Sequence, residues 1–379
     1  MKIQQLHLSN SEWKTTFTGD GFSPKESQLV LAFGESSLLV DSSLFNNLRD
    51  KYPNASIICC STAGEMSDDS VYDNSVVVTA VQMNNTRLSC IETNIKQHQD
   101  SQKTGYYLME QLQAPDLKAV FILSDGTHIN GSELVAGFNE KNKKHIPVTG
   151  GLAGDGARFV KTYVGLNKIP EEGNITAIGF YGDHIKVGHA SVGGWDEFGP
   201  ARTITKSQQN VLFEIDGKNA LDLYKEYLGP YKDDLPGSAL LFPLSLRDIA
   251  TGETMVRTIL SINEEEKSMT FAGNLPEGSK VRLMKANFDK LIDGSSNAAK
   301  NSMETFSTNP DLAILISCVG RKLILQERTE EEVQSAREIF GSRTQTTGFY
   351  SYGEISPFQP NSRCGLHNQT MTITTFTEN

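Results

Sequence analysis

Three stretches of the chain repeat one plan: an apolar strand, a segment about one helix long, then a second strand closing on a small residue, a glycine and an acid. They run from Leu29 to Glu65, ending Ala63-Gly64-Glu65; from Val120 to Asp155, ending Ala153-Gly154-Asp155; and from Leu312 to Glu354, ending Tyr352-Gly353-Glu354, where tyrosine replaces the small residue. The glycine closing each first strand and the glycine of each acidic turn (Gly34 and Gly64, Gly126 and Gly154, Gly320 and Gly353) lie about 30 residues apart, the size of one supersecondary unit. A chain that reuses one strand–helix–strand unit must stack the copies to bury their apolar faces. The acidic turns are expected to meet around a common cleft.

The first unit reads as strand (Leu29 to Phe33), helix (Leu44, Phe45, Leu48 and Tyr52 at helical spacing) and strand (Ser56 to Cys60). After it, Val76 to Val81 and Arg87 to Ile91 are expected to form an antiparallel hairpin through Asn84-Asn85. In the second unit the strand Val120 to Leu123 breaks at Ser124-Asp125-Gly126, and Asn130-Gly131-Ser132-Glu133 has capping-box spacing ahead of Leu134, Val135 and Phe138. The third pairs a strand at Ile314 to Cys318 with a capping box at Thr329 and Glu332, and a final strand alternates from Thr370 to Phe376. Between units two and three, Gly193-Gly194-Trp195 through Gly199-Pro200 reads as a connection, placing a boundary near Trp195 to Ser207. Beyond it come a helix from Ala220 to Leu228 and two strands within Glu253 to Ala272, turned at Asn263 to Glu266. The fold class expected is α/β: repeated strand–helix–strand units in mixed sheets, with an α+β carboxy-terminal domain, divided as 1–200 and 201–379.

The 379 residues suffice for two or more domains with ample cores. With 35 basic against 46 acidic side chains the net charge is −11, which repels phosphate backbones and argues against nucleic-acid binding. Met1 to Asn10 shows no charged leader followed by an apolar segment, and no run approaches the roughly 18 apolar residues of a membrane span. The expectation is a cytoplasmic protein with no membrane partner. Five cysteines, an odd number with no CxxC pair, suit reduced thiols better than disulfides or structural zinc, and Cys59-Cys60 is expected in a buried strand.

Chemistry-bearing residues gather in two places. Asp125 to Gly131 and Gly150 to Arg158 are dense in glycine, which lets backbone amides approach a ligand, while Asp125, Asn130, Asp155 and Arg158 can orient its polar groups around Gly150 and Gly151. Gly348 to Pro357 and Cys364 to Thr370 bring Tyr352, Glu354, His367 and Asn368 to the third unit, where Arg321 also lies. The other reading is that the glycines only shape tight strand ends and that the polar groups satisfy one another. Neither GxxxxGK[ST] nor GxGxxG occurs, so this is not a phosphate loop.

Taken together, SDGTHINGSELVAGF, PVTGGLAGDGARF, ISCVGRK, GFYSYGEISPF and LHNQTMTI, in this order, resemble the FIST family, a sensory domain of bacterial signalling proteins and some eukaryotic F-box proteins. The resemblance covers nearly the whole chain. It implies a FIST N-type domain over 1–200 and a FIST C-type domain over 201–379. It further implies a small-ligand sensor, not an enzyme, whose output is made in trans because no kinase, cyclase or receiver signature accompanies it; a homo-oligomer is left open. One bacterial branch implies haem-dependent nitric oxide sensing beside a partner histidine kinase.

On the residues themselves, noncovalent haem b needs an accessible axial ligand and an apolar slot, and His367, His128 and His189 are the alternative iron-ligand candidates; no CxxCH is present for covalent attachment. Two further readings stand beside this one. Asp155, Arg158, Arg321 and Glu354 suit a haem-free receptor for an amino acid or other small polar metabolite. Cys318, with Arg321 nearby and His367 elsewhere, suits a cysteine-dependent enzyme, although nothing like GxSxG or HExxH accompanies them.

Overall fold

The computed structural model describes residues 1–235, 237–249 and 252–379. Each repeat supplies the centre of its own six-stranded sheet. Leu29–Gly34 runs parallel to Ser56–Ser61, Leu117–Ser124 to Val148–Leu152, and Leu312–Cys318 to Gln345–Ser351. On its other side each first strand takes an antiparallel neighbour: Val76–Gln82, Asn174–Tyr181 or Met371–Glu378. Those neighbours take a fourth strand in turn: Lys2–Ser9, Arg87–Asn94 or Ile185–Val192. Val76–Gln82 and Arg87–Asn94 therefore lie in different sheets, and the hairpin expected through Asn84-Asn85 does not form. The Glu378 carboxylate takes the backbone amides of Asn84, Asn85 and Thr86 at 2.7–2.8 Å, which splays the connection so that each strand finds a distant partner.

Beyond each acidic turn the chain leaves its own sheet and extends a neighbour's. Glu65–Ser67 and Ser70–Tyr72 join the third sheet beside Gln345–Ser351. Gly353–Pro357 and Cys364–His367 join the second beside Val148–Leu152. Val164–Leu166 joins the first beside Ser56–Ser61. Unit one thus reaches into sheet three, three into two, and two into one, closing a cycle. Alternate residues of each first strand point to opposite faces. Leu29, Leu31 and Phe33 meet Phe121, Leu123, Ile314 and Ile316 in one core shared by all three sheets. Val30 and Ala32 pack with the helical residues Leu44 and Leu48 on the other face of sheet one, and Val120, Ile122, Ala313 and Leu315 join the core on the other faces of sheets two and three. Burial on both faces is why these strands read as unbroken apolar runs. The α/β class with mixed sheets is as expected from the repeats.

Asn130 caps the helix Gly131–Lys141, accepting from the amides of Ser132 and Glu133 at 3.1 and 3.2 Å. Glu133, however, accepts from Gln209 at 3.0 Å instead of closing the box. The helix Thr329–Phe340 has no side-chain cap, because Glu332 is drawn under the buried Arg321 guanidinium. The expected glycine-rich connection is a strand, Trp195–Gln208, and the expected division at residue 200 falls inside it. The strand pairs with Lys280–Ala286 from Trp195 to Thr203, across a register shift between Phe198 and Arg202, and with Val211–Ile215 from Ile204 to Gln208. Residues 195–286 thereby form an inserted unit whose own core joins Ile204, Leu212, Leu221, Tyr224 and Phe271. The expected hairpin is present as Ile259–Asn263 and Ser268–Phe271. The insertion docks on the repeats through Asn130 Nδ2 to Asn274 Oδ1 (3.0 Å) and Arg257 Nη1 to the Leu366 carbonyl (3.1 Å).

Candidate functional site

The three acidic turns do come together. The Ala63 amide donates to the Tyr350 carbonyl and the Tyr350 amide to the Gly64 carbonyl (both 2.8 Å), while the Gly154 amide donates to the Ser61 carbonyl (2.9 Å). Their acids, though, are used up in fastening loops. Glu65 accepts from the Thr62 and Ser75 hydroxyls at 2.5 and 2.7 Å. Asp155 accepts from three successive amides, those of Phe159, Val160 and Lys161, at 2.8–3.0 Å, and from the Tyr352 hydroxyl. Glu354 accepts from the Ser351 hydroxyl (2.9 Å) and from the Thr370 amide and hydroxyl (3.1 and 2.9 Å). Burial pushes the Glu65 and Glu354 carboxyls up to about 8.

Other residues read as ligand contacts are also structural. Asp125 is fully buried and gathers the amides of Thr127, His128 and Gly173 at 2.6–2.9 Å. Arg158 lies on the surface against Glu35 at 2.8 Å. Arg321, without solvent exposure, pairs with Glu332 at 2.5 Å and donates to the carbonyls of Leu291 (2.7 Å), Gln369 (3.3 Å) and Gly193. At Gly150, where φ is +142°, a Cβ would lie 1.9 Å from the Ile122 carbonyl oxygen, and Gly151 presses on Ile316. Gly150 lets neighbouring strands of sheet two approach, and Gly151 lets sheet two pack on sheet three.

A cavity of about 390 Å³ opens where the strand ends of repeats two and three meet the insertion. Repeat two contributes the loop Gly126 to Gly131, with His128 and Asn130, then Leu152 and Phe159. Repeat three contributes Cys318, Val319 and Gly320, then Tyr352 and Asn368. The insertion closes the far side with Asn210, Leu240, Thr258, Leu260 and Phe271 to Gly273. Of the sequence candidates, His128, Asn130, Cys318, Tyr352 and Asn368 line it. Asp125, Gly150, Gly151, Asp155, Arg158, Arg321, Glu354, His189 and His367 do not. Sequence reasoning missed Phe159, although it ends one of the glycine-rich motifs, and every residue from the insertion, whose hairpin signals topology but not the wall it faces.

Two unsatisfied side chains and one strained backbone position belong to the lining. Asn368 Nδ2 donates to the His367 carbonyl at 3.0 Å, leaving Oδ1 fully buried with no protein partner. Thr258 Oγ1 is likewise unpartnered, and so are both carboxamide atoms of fully buried Gln369, which abuts Gly320. Phe159 and Gln369 sit at φ +56° and +60°, a region bulky residues avoid. Phe159 stacks on Tyr352 with centroids 4.5 Å apart, yet remains 44% exposed. A buried unpaired polar group costs about 1–3 kcal/mol and a left-handed non-glycine residue a similar amount, and such costs gather at ligand sites.

The three histidine candidates for a haem iron sit in different surroundings. His128 lines the cavity, but its Nδ1 lies 3.4 Å from Asp125 Oδ2 and its Nε2 3.8 Å from Glu172 Oε2. His367 is buried against Phe358 with Nε2 on the Ser356 carbonyl at 3.0 Å. His189 sits in the strand Ile185–Val192, away from the cavity. Burial lowers both His367 and His189 to about 4. Among the described residues no cluster of three or more His, Cys, Asp or Glu could hold a metal ion.

A cavity walled by repeated α/β sheets and a β-rich insertion, with unpaired polar atoms in its lining, defines a ligand-binding α/β protein. The chain belongs to the FIST family, matching the FIST N domain over residues 28–218 and the FIST C domain over residues 220–357. These are sensory, ligand-binding domains of signal transduction. The chain is also similar to an uncharacterized protein of Methanocaldococcus jannaschii, at 23% identity over 321 residues. That match covers 78% of this chain and 61% of the relative, so the chain spans about three fifths of the relative's length. No helix among the described residues is long and apolar enough to cross a membrane.

Proposed function

We propose that the protein is a haem-free receptor for a small organic metabolite, and that it reports occupancy to a signalling protein in trans without transforming the ligand. The observation that carries this reading is the fully buried Asn368, whose Oδ1 lacks a protein partner in the wall of the cavity. Because the repeats form one wall and the insertion the other, a ligand touching both favours the arrangement that holds them together. A histidine kinase is the partner class that the family resemblance suggests. The haem-dependent reading of nitric oxide finds less support, since each candidate imidazole is engaged by the protein or lies away from the cavity. The enzyme reading finds less as well: burial and nearby Glu354 push the Cys318 thiol far above its ordinary range, and His367 is committed to Ser356.

The test is a thermal-shift screen of metabolites on the protein and on Ala272→Phe, which fills the cavity. A ligand at 100 times its Kd stabilises the native state by about 2.7 kcal/mol. Compounds that raise the melting temperature of the parent by several degrees and leave the variant unmoved support the receptor. Stable haem uptake with a Soret band shifted by nitric oxide would replace it with the haem reading.

A further inference from the structure

We infer that the ligand is an uncharged, flat molecule with an amide- or lactam-like edge, an N–H donor beside a carbonyl acceptor; this rests on the receptor reading above. Among the described residues lining the cavity there is no Lys, Arg, Asp or Glu. The ionisable groups near it are occupied: Asp155 by three amides and Tyr352, Glu354 by Ser351 and Thr370, Arg321 by Glu332. A zwitterionic amino acid, a carboxylate or a phosphate ester entering this space would give up its hydration with no lysine or arginine to replace it, and the lining imidazole, His128, already faces Asp125 and Glu172. A neutral molecule gives up far less.

The polar atoms of the site describe the edge it reads. The His367 carbonyl fixes the Asn368 amide with nitrogen toward the protein, so the unpaired group is an acceptor and asks for a ligand donor. Thr258, on the opposite wall, carries an unpaired hydroxyl that can donate to a ligand carbonyl, while Gln369, next in sequence to Asn368, lies fully buried behind Gly320. The flat body follows from Phe159, whose backbone the Asp155 carboxylate pins at φ +56°. One side of its ring is stacked on Tyr352 and the residue borders the cavity, where Leu152, Leu260 and Phe271 supply apolar surface.

The experiment uses the full chain in thermal-shift and calorimetric titrations with three panels: uncharged lactams, nucleobases and aromatic amides such as uracil, hypoxanthine and nicotinamide; amino acids; and carboxylates with phosphate esters. Binders are expected only in the first panel. Thr258→Val is expected to weaken them about tenfold and Asn368→Leu about 10–100-fold, as for a lost buried hydrogen bond. Thr258→Val removes an unpaired hydroxyl at constant shape, so its fold is retained and it carries the test if Asn368→Leu fails to fold. Binding confined to charged compounds but blocked by Ala272→Phe overturns the ligand class and leaves the receptor standing. So does neutral binding untouched by either wall variant. If no compound in any panel is blocked by Ala272→Phe, both readings fall.

Discussion

A carboxyl sealed from water keeps its proton to high pH, and Glu354 and Glu65 are held in that state to about 8 by burial, against the partial relief of their hydroxyl donors. A folded value raised above the unfolded one contributes stability that is complete below about 4.5 and is lost as pH rises through about 8. Buried, neutral His189 and His367, lowered to about 4, act with the opposite sign between about 4 and 6.5. Above 6.5 the carboxyls act alone, so stability is expected to fall from there toward pH 8. Glu354→Gln should make that fall shallower by about 1.4 kcal/mol per pH unit, one proton's worth, in urea denaturations between pH 6.5 and 7.5. The same residues explain why the site was only partly legible. A sequence displays charge but not its partner, so Asp155, Arg158, Arg321 and Glu354 looked like ligand contacts. Asn368 differs from them only in what the fold leaves undone, an acceptor with nothing to accept from.

At the scale of elements, the repeat strands and the Asn130 cap were legible because their signals are local: an apolar run, a capping side chain two or three residues from its amides. Partner choice is not local. Val76–Gln82 and Arg87–Asn94 are neighbours in sequence yet pair with Lys2–Ser9 and Asn174–Tyr181, and the glycine-rich stretch after Gly193 becomes a strand because Lys280–Ala286 lies alongside it. Arg321 shows what such long-range assembly costs to disturb. It starts on the helix Val319–Leu325 and bonds Glu332 on a second helix, Leu291 on a third, and the carbonyls of Gly193 and Gln369, so one guanidinium ties the entry to the insertion to the loop that carries Asn368. Arg321→Met should destabilise the protein by about 3–5 kcal/mol, because Glu332 is left as an uncompensated buried carboxylate; chemical denaturation checks this, and a loss under about 1 kcal/mol would refute the clamp.

For the whole molecule the governing feature is the cyclic exchange of strands, which leaves no repeat able to complete a sheet from its own residues. Removing residues 360–379 takes away Cys364–His367 from the edge of sheet two and Met371–Glu378 from the middle of sheet three, stranding Ile185–Val192 without a neighbour. Such a truncated chain is expected to show no cooperative urea transition by circular dichroism; a sharp transition near that of the parent would contradict the interlock. The same wiring sets a timetable for biosynthesis. Ribosomes add about 5–20 residues each second, so Ile185–Val192 emerges on the order of ten seconds or more before its partner strand exists. Throughout that wait the nascent polypeptide carries open backbone edges, an aggregation hazard that closes only once translation has passed residue 378.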